Sequence, residues 1–575
     1  MELPVVQMGF ATEGMRLIDR GRPVSLTVPQ AVIGERTIRR EERIMAQQVS
    51  RYTAPNPPGL AEGWTLERLS GPSRLFGANG IRTGPDGRIY VAQVAGSQIS
   101  AIDINSGEIE AISPMGGAIV GPDDLVFDDE GNLYATEITE NRVTMLRPDG
   151  SSKVIWGDIP VANPITFHQG HLIAGELRMG ARILELDRNG GEPRVIAQDL
   201  PMTNAFEVGP DGKLYFPAQA ANEIWRVSLE GGQPEKVAGD LGIPDSVKFH
   251  PDGYIVSTQV GTGEVLRIDP QTGQKSVLAQ LPPGLDNVTF VGKRIFVSSI
   301  PGTIYEILEP GKVRDLVSAG YNGPLGLTVD PSGSLFVADG PFLYNVQQSG
   351  ERQTAGMLFN PGYPGYIRGI RSSGPGEVTV TTSIGAVARY RPAQAESEVL
   401  ADGFYRLYGL ALASDGSIAF AEAGKGRVLS LRNGTVEELA SGLREPFGVA
   451  IGPDGTVLVA ESQGGRVDKV SGGRVETVVD GLKQPNGLHV RGDKLYIVDS
   501  VAKELIEYDL ASGERRSTAT DLPIGPPPGV VPKFLGGIGD MAGPMGPFTD
   551  IDGGPDGTLY VSGDAEGSVL AIRPA

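Results

Sequence analysis

The sequence predicts an all-β protein: two tandem six-bladed β-propellers behind a short N-terminal arm. Three observations carry the prediction: a strand–turn–strand phrase recurs twelve times, the units are spaced by about 40 residues, and two strands are left over that can close two rings.

The phrase is plainest in GIRTGPDGRIYVAQ, DLVFDDEGNLYATE, AFEVGPDGKLYFPA, SVKFHPDGYIVSTQ, GLTVDPSGSLFVAD, GVAIGPDGTVLVAE and DIDGGPDGTLYVSG. Between two β-branched or aromatic runs, Pro presets the turn and Gly takes the positive φ that the turn requires. Degenerate copies such as PITFHQGHLIAGE, NVTFVGKRIFVSS and GLHVRGDKLYIVDS bring the number of units to twelve. A third strand follows each hairpin (QISAID, RVTMLR, EIWRVS, EVLRID), usually with a fourth behind it, which is the make-up of a propeller blade. With 81 Gly and 44 Pro, the composition agrees with many short strands joined by tight turns.

The ends suggest how twelve blades divide. SVLAIRPA is a third strand with no fourth after it, and a bare sheet edge needs a partner. WTLERLS stands alone before the first hairpin, and KVRDLVS lies between units six and seven. The expected scheme has WTLERLS completing blade six and KVRDLVS completing blade twelve. The domains are then an arm and linker at 1–60, a first propeller at 61–309 and a second at 310–575, with a long loop at 521–548. A single twelve-bladed ring is the alternative, but it leaves one of these strands redundant. Within the arm, RTIRREERIMAQQV has a weak helical period (Ile38, Ile44, Met45, Val49) before the Pro-rich TAPNPPG. It is expected to lie on a propeller or on a neighbouring subunit.

Composition excludes several classes of function. A net charge of −20 without a compensating basic cluster argues against nucleic acid and anionic membranes as partners. The absence of cysteine removes thiol nucleophiles, disulfides and Cys-based metal sites. No apolar run approaches the ~18 residues needed to span a bilayer, and MELPVVQMGFATEG lacks a basic-then-apolar leader, so a cytoplasmic location is expected. There is no G-x-S-x-G, H-E-x-x-H or Walker-type loop, and His168, His171, His250 and His489 are scattered. The expected partner is a small-molecule substrate; the oligomeric state is not encoded legibly.

Aligning the units on their turn glycines identifies the residue that opens each innermost strand. In the first ring these are Asn79, Asp123, Asn163, Asn204, Asp245 and Asp286, every one Asn or Asp. In the second they are Leu325, Arg368, Tyr408, Phe447, Asn486 and Thr549, so the repeat itself does not demand an amide or carboxylate there. Asn and Asp are common turn residues, which supplies a purely structural account of any single position. Six converging oxygens, three from carboxylates, are costly on a narrow axis without a cation. Oxygen ligands select a hard ion, and Ca²⁺, with its flexible coordination, is the first choice over another divalent cation. The second strands end at the same mouth with Gln93, Glu137, Glu176, Gln219, Gln259 and Ser299; Glu137 and Glu176 are candidate extra ligands or acid/base groups, a solvated ion pair being the alternative.

These residues resemble the senescence marker protein/gluconolactonase superfamily, with paraoxonases and strictosidine-synthase-like proteins as relatives. The resemblance covers roughly residues 61–309. It implies one divalent metal on the propeller axis and hydrolysis of a lactone or related ester. It implies Asn204 and Asp245 as ligands from blades four and five, and Asn163 from blade three as a substrate-binding residue. The family's Glu at blade one is replaced by Asn79, and Asp123, Asp286 or Glu137 are the residues that could restore the charge. LDNV, around Asp286 and Asn287, resembles the Asp-Asn ligand pair of paraoxonases. The GPDG repeats are less specific, since NHL-type propellers and streptogramin B lyase share them.

The expected metal set is Asn79, Asn163, Asn204, Asp245 and Asp286. Asp245, Asp123 and Glu137 are the candidate catalytic groups, with Asn163, Glu176 and Gln219 on the substrate. A metal-dependent lyase or isomerase and a non-catalytic binding propeller with a structural ion are the alternatives. The second ring, with Leu325, Tyr408 and Phe447 on its axis, is expected to hold no ion and to cover the first ring's funnel.

Overall fold

Each x-P-D-G turn closes a tight antiparallel hairpin, and Gly87, Gly212 and Gly455 take φ of 79°, 74° and 78° there. The computed structural model describes residues 50–526 and 548–575. The helical period at residues 38–49 lies outside them, and so does most of the loop at 521–548. The described residues form twelve antiparallel sheets of four strands, one of which carries a short fifth strand. They contain three single-turn 3₁₀ segments and no α-helix, hence no helix long and apolar enough to cross a membrane.

The sheets are arranged as propeller blades in two closed rings. In the first ring, the inner strand of blade six (Leu285–Val291) packs beside that of blade one (Ile81–Thr83). The seam is pinned by the Thr83 amide donating to Thr289 Oγ1 at 3.0 Å and the Thr83 hydroxyl donating to Phe290 O at 2.6 Å. In the second ring, blade twelve (Ile551–Gly553) closes on blade seven (Pro324–Val329). There Thr328 Oγ1 and the Val329 amide both donate to Asp552 Oδ2, at 2.8 and 3.0 Å.

The closing strands differ from the expected exchange. Lys312–Val317 stays in its own blade as the fourth strand of blade six. Trp64–Arg68 pairs with Ser568–Pro574, from Trp64↔Pro574 to Arg68↔Leu570, and completes blade twelve. The physical reason is that blade six already owns a fourth strand, whereas among the described residues the blade ending in Ser568–Pro574 has three strands of its own and takes the strand at 64–68 as its fourth. The strand at 64–68 therefore belongs to the second ring, and 312–317 to the first, which corrects the division at residues 61 and 310.

Hydrophobic burial lies between blades. Blades two and three, for example, interlock through Val126, Tyr134, Met145 and Ile155 against Ile165, Leu172 and Leu184. One cluster bridges the rings: Val260, with Ile243 and Ile300, packs against Tyr321, Leu327, Phe342 and Tyr344. A Cβ on Gly284 would come within 2.6 Å of the Phe342 ring, so this contact requires glycine at 284.

Candidate active site at the axis of the first ring

The inner strands begin with irregularities that turn side chains onto the axis. Strand register shifts between Pro122 and Leu125, between Ala162 and Ile165, and between Leu285 and Val288, so Asp123, Asn163 and Asp286 each sit in a bulge. All six expected axial residues line one cavity of about 60 Å³. Five are buried, from 4% exposure at Asn163 and Asn204 to 8% at Asp286, and Asn79 is half-buried.

The six residues form three amide–carboxylate pairs between adjacent blades. Asn79 Nδ2 donates to Asp286 Oδ2 at 3.1 Å, Asn163 Nδ2 to Asp123 Oδ2 at 2.5 Å, and Asn204 Nδ2 to Asp245 Oδ2 at 2.9 Å. Gln219 Nε2 reaches Asp245 Oδ2 at 3.4 Å. The amide oxygen of Asn79 accepts from the Val94 amide and that of Asn204 from the Ala205 amide, whereas Asn163 Oδ1 is buried without a hydrogen-bond partner.

Burial raises the pKa of Asp123 to about 8, with Asp124 adding to the effect. Asp245 is pushed well above the usual carboxylate range by burial, then by Asp123 and Asp124, and Asp286 by burial, then by Asp245 and Asp123. The protein alone thus favours protonated carboxyls here, and a bound cation would reverse that preference. Among the described residues no three carboxylates or imidazoles converge within reach of one metal. A cation on this axis would therefore need amide oxygens in its shell, and the unpartnered Asn163 Oδ1 is one such donor.

Glu137 and Glu176 do not join the cavity, which corrects their expected roles. Glu137 Oε2 accepts from the Val120 amide at 2.9 Å and from Arg142 Nη2 at 2.7 Å, and its other oxygen from the Thr144 hydroxyl. Glu176 is held by Arg178 Nε at 2.8 Å and by the Arg182 amide at 3.0 Å and Nε at 2.7 Å. At Glu137 the position is a structural clasp, the second strand's last side chain accepting from the amide that leads into its own blade, whereas Glu176 accepts from an amide of the third strand. Gln93 takes the Phe76 amide, Gln259 that of Gly242, and in the second ring Asp339 takes Gly323, Glu422 takes Tyr405 and Asp499 takes Gln484. Of the outer set, Gln219 alone lines the cavity.

Sequence reasoning missed two groups. Below the floor the axis carries Arg82 and the fully buried Lys248, whose Nζ donates to Phe206 O at 3.0 Å. Burial and the neighbouring Arg82 lower the Lys248 pKa to about 8, and Arg82 lies 3.9 Å from Asp124. A charge inside an otherwise apolar inner strand, as in GIRTG and SVKFH, was the available signal. Above the floor the cavity is roofed by the second ring through Asn322, Pro341, Leu358, Phe359 and Tyr366. That agrees with the expected covering role and had no residue-level signal.

The second ring's axis is plugged. Leu325, Tyr408 and Phe447 cluster with Phe548, the Tyr408 and Phe447 ring centroids lying 4.3 Å apart. Arg368 lies over the Tyr408 ring at 5.2 Å.

Residues 165–300, all within the first ring, match the family model described as the SMP-30/Gluconolactonase/LRE-like region. A search of curated proteins returns no match. Among solved structures, virginiamycin B lyase from Staphylococcus aureus is similar at 16% identity over 51% of this chain and 98% of its own, with a TM-score of 0.36. A gluconolactonase from Xanthomonas campestris is similar at 17% identity over 44% of this chain and 94% of its own, also with a TM-score of 0.36. Likenesses of this size carry no weight on activity.

Proposed function

We propose, for a chain whose first ring carries the SMP-30/gluconolactonase/LRE-like region, that the axial site binds a divalent cation, Ca²⁺ first, and hydrolyses a lactone or related ester. The observation that carries this reading is the ring of three Asn–Asp pairs, with its raised carboxyls and one unpartnered amide oxygen.

Asp123, Asp245 and Asp286, with Asn163, are the residues that would hold the ion, and the ring of oxygens suits a hard cation. A cation held there would supply Lewis-acid polarisation of a substrate carbonyl. Asp286 stands in for the Glu that the family carries on blade one, since it accepts from Asn79 across the seam. Asp245 is the base: its Oδ2 is held by Asn204 and Gln219, which leaves Oδ1 to take a proton from the attacking water. The roof from the second ring keeps bulk water from the reacting carbonyl.

A second reading is a structural ion without turnover. It is favoured by the cavity's volume of about 60 Å³, well below the ~300–1,000 Å³ of pockets for drug-sized ligands.

Metal analysis of the full chain, followed by a lactone and ester panel with and without chelator, tests both. About one divalent ion per chain and chelator-sensitive turnover are expected, with product mass raised by one water; an unchanged mass indicates elimination instead. Asp245→Asn should weaken metal binding and lower turnover by roughly 10²–10⁴-fold, the range of general-base effects. Bound metal with no turnover leaves the structural ion. Absence of metal, with Asp245→Asn as active as wild type, overturns the site.

A further inference from the structure

We propose that the second ring builds the specificity wall of this site, which selects a small lactone or ester bearing an apolar substituent over a polyhydroxylated one. The ester chemistry rests on the hydrolase reading above; the shape and polarity of the wall do not.

The cavity has two zones. Its floor is the Asn/Asp ring, and above it the first ring contributes Val94, Ile138, Leu177 and Ile300. Each of these follows the last residue of a blade's second strand. In blades four and five the residues after Gln219 and Gln259 are Ala220 and Val260, which do not line the cavity, so the apolar collar is these four residues; the second ring has Gly340, Ser383, Ala423, Ser462, Ser500 and Asp564 at this step. The fold therefore does not require an apolar collar.

Packing between the rings accounts for part of it, because Ile300 joins the bridging cluster. It does not account for Ile138, Val94 and Leu177, which form a separate small cluster with Val161. The roof continues the apolar surface through Pro341, Leu358 and Phe359, and its polar side chains are Asn322 and Tyr366. Asn322 Oδ1 is buried without a hydrogen-bond partner. A hydroxyl-rich ring would lose its hydrogen bonds to water and find two polar side chains above the floor. An alkyl substituent would lose nothing there and would bury its surface against Phe359 and Leu358.

The test uses the full chain and two lactams, which resist hydrolysis: an alkyl-substituted δ-lactam and the lactam of gluconic acid. Calorimetry should show the alkyl lactam binding at least about tenfold tighter, the margin that apolar pockets give for one or two methylenes. Phe359→Ala should shift the preference toward longer alkyl chains, and Phe359→Leu should do so more weakly, which covers the case in which the alanine variant fails to fold. Equal or tighter binding of the polyhydroxylated lactam, no binding of either lactam, or an unchanged chain-length preference in the folded variants overturns the wall. If the alkyl lactam binds as expected while the matching lactones are not turned over, the hydrolase reading fails and the wall stands.

Discussion

At the scale of single residues, the pairing of each axial Asn with an Asp from the next blade is what lets three carboxyls occupy one narrow axis. The amide donors compensate part of the lost hydration, and protonation or a cation must compensate the rest. This has a pH signature at Asp123, whose folded pKa of about 8 lies above its unfolded value near 3.9. Its contribution to stability is complete below about pH 4 and is lost as pH rises through about 8, because ionisation then opposes burial. In chelator, Asp123→Asn should therefore gain stability relative to wild type between pH 5 and pH 8.5, and Ca²⁺ at the higher pH should reverse the order. Thermal unfolding across that range checks it; a wild-type-minus-variant difference that stays flat with pH would refute buried, cation-dependent charge at Asp123. The six floor residues were legible because they contrast with the second ring. No such contrast marks Glu137 and Glu176: in the second ring Glu422, Glu461 and Asp499 occupy the equivalent position beside an axis that is plugged, so a carboxylate there carries no signal of a site.

At the scale of elements, one short strand decides the second ring's closure. Trp64–Arg68 runs along the outer edge of blade twelve, with Arg68 paired to Glu566 at 2.7 Å and Glu67 paired to Arg573. Trp64 and Leu66 pack onto the core formed by Tyr496, Leu559 and Ile572. Deleting residues 1–70 should therefore lower the melting temperature of the second ring and leave the inter-blade core of the first in place. Hydrogen exchange resolved by blade measures this: faster exchange is expected at 551–574 and little change at 162–201. Exchange that accelerates first in blade six would instead favour the swapped closure. The strand itself was legible from alternation in WTLER. Its partner was not, because any bare blade edge offers the same row of amides and carbonyls.

At the scale of the whole molecule, both rings meet at Arg51. Its guanidinium is buried and donates to Leu75 O at 2.8 Å at the entry to blade one, to Tyr321 O at 3.3 Å before blade seven, and to Asp564 O at 2.8 Å and Ala565 O at 3.1 Å in blade twelve. It also lies over the Phe76 ring at 4.0 Å. Burial lowers its pKa to about 10, with Asp339, Asp564 and Glu566 opposing the shift. Arg51→Met should cost roughly 2–4 kcal/mol, because several carbonyls lose a charged donor at once, and should raise proteolysis near 318–323, where the chain passes between rings. Unchanged stability and cleavage would show that the apolar contact around Val260 and Phe342 holds the rings together without it.

The sequence by itself determined the all-β class, the twelve units, their turns and the six polar residues at the first ring's mouth. Those properties are local or periodic: GPDG fixes a turn, alternation fixes the face of a strand, and alignment of repeats fixes which residue opens it. Tertiary structure decided which strand closes which ring, that Glu137 and Glu176 clasp backbone instead of facing the cavity, and that Asn322, Phe359 and Tyr366 of the second ring roof a site whose floor comes from the first. The physical reason is that repeats are near-equivalent in their local signals. The choice among equivalent edges and mouths is made by burial of the surface left over once every blade has formed, and that surface exists only in the folded chain.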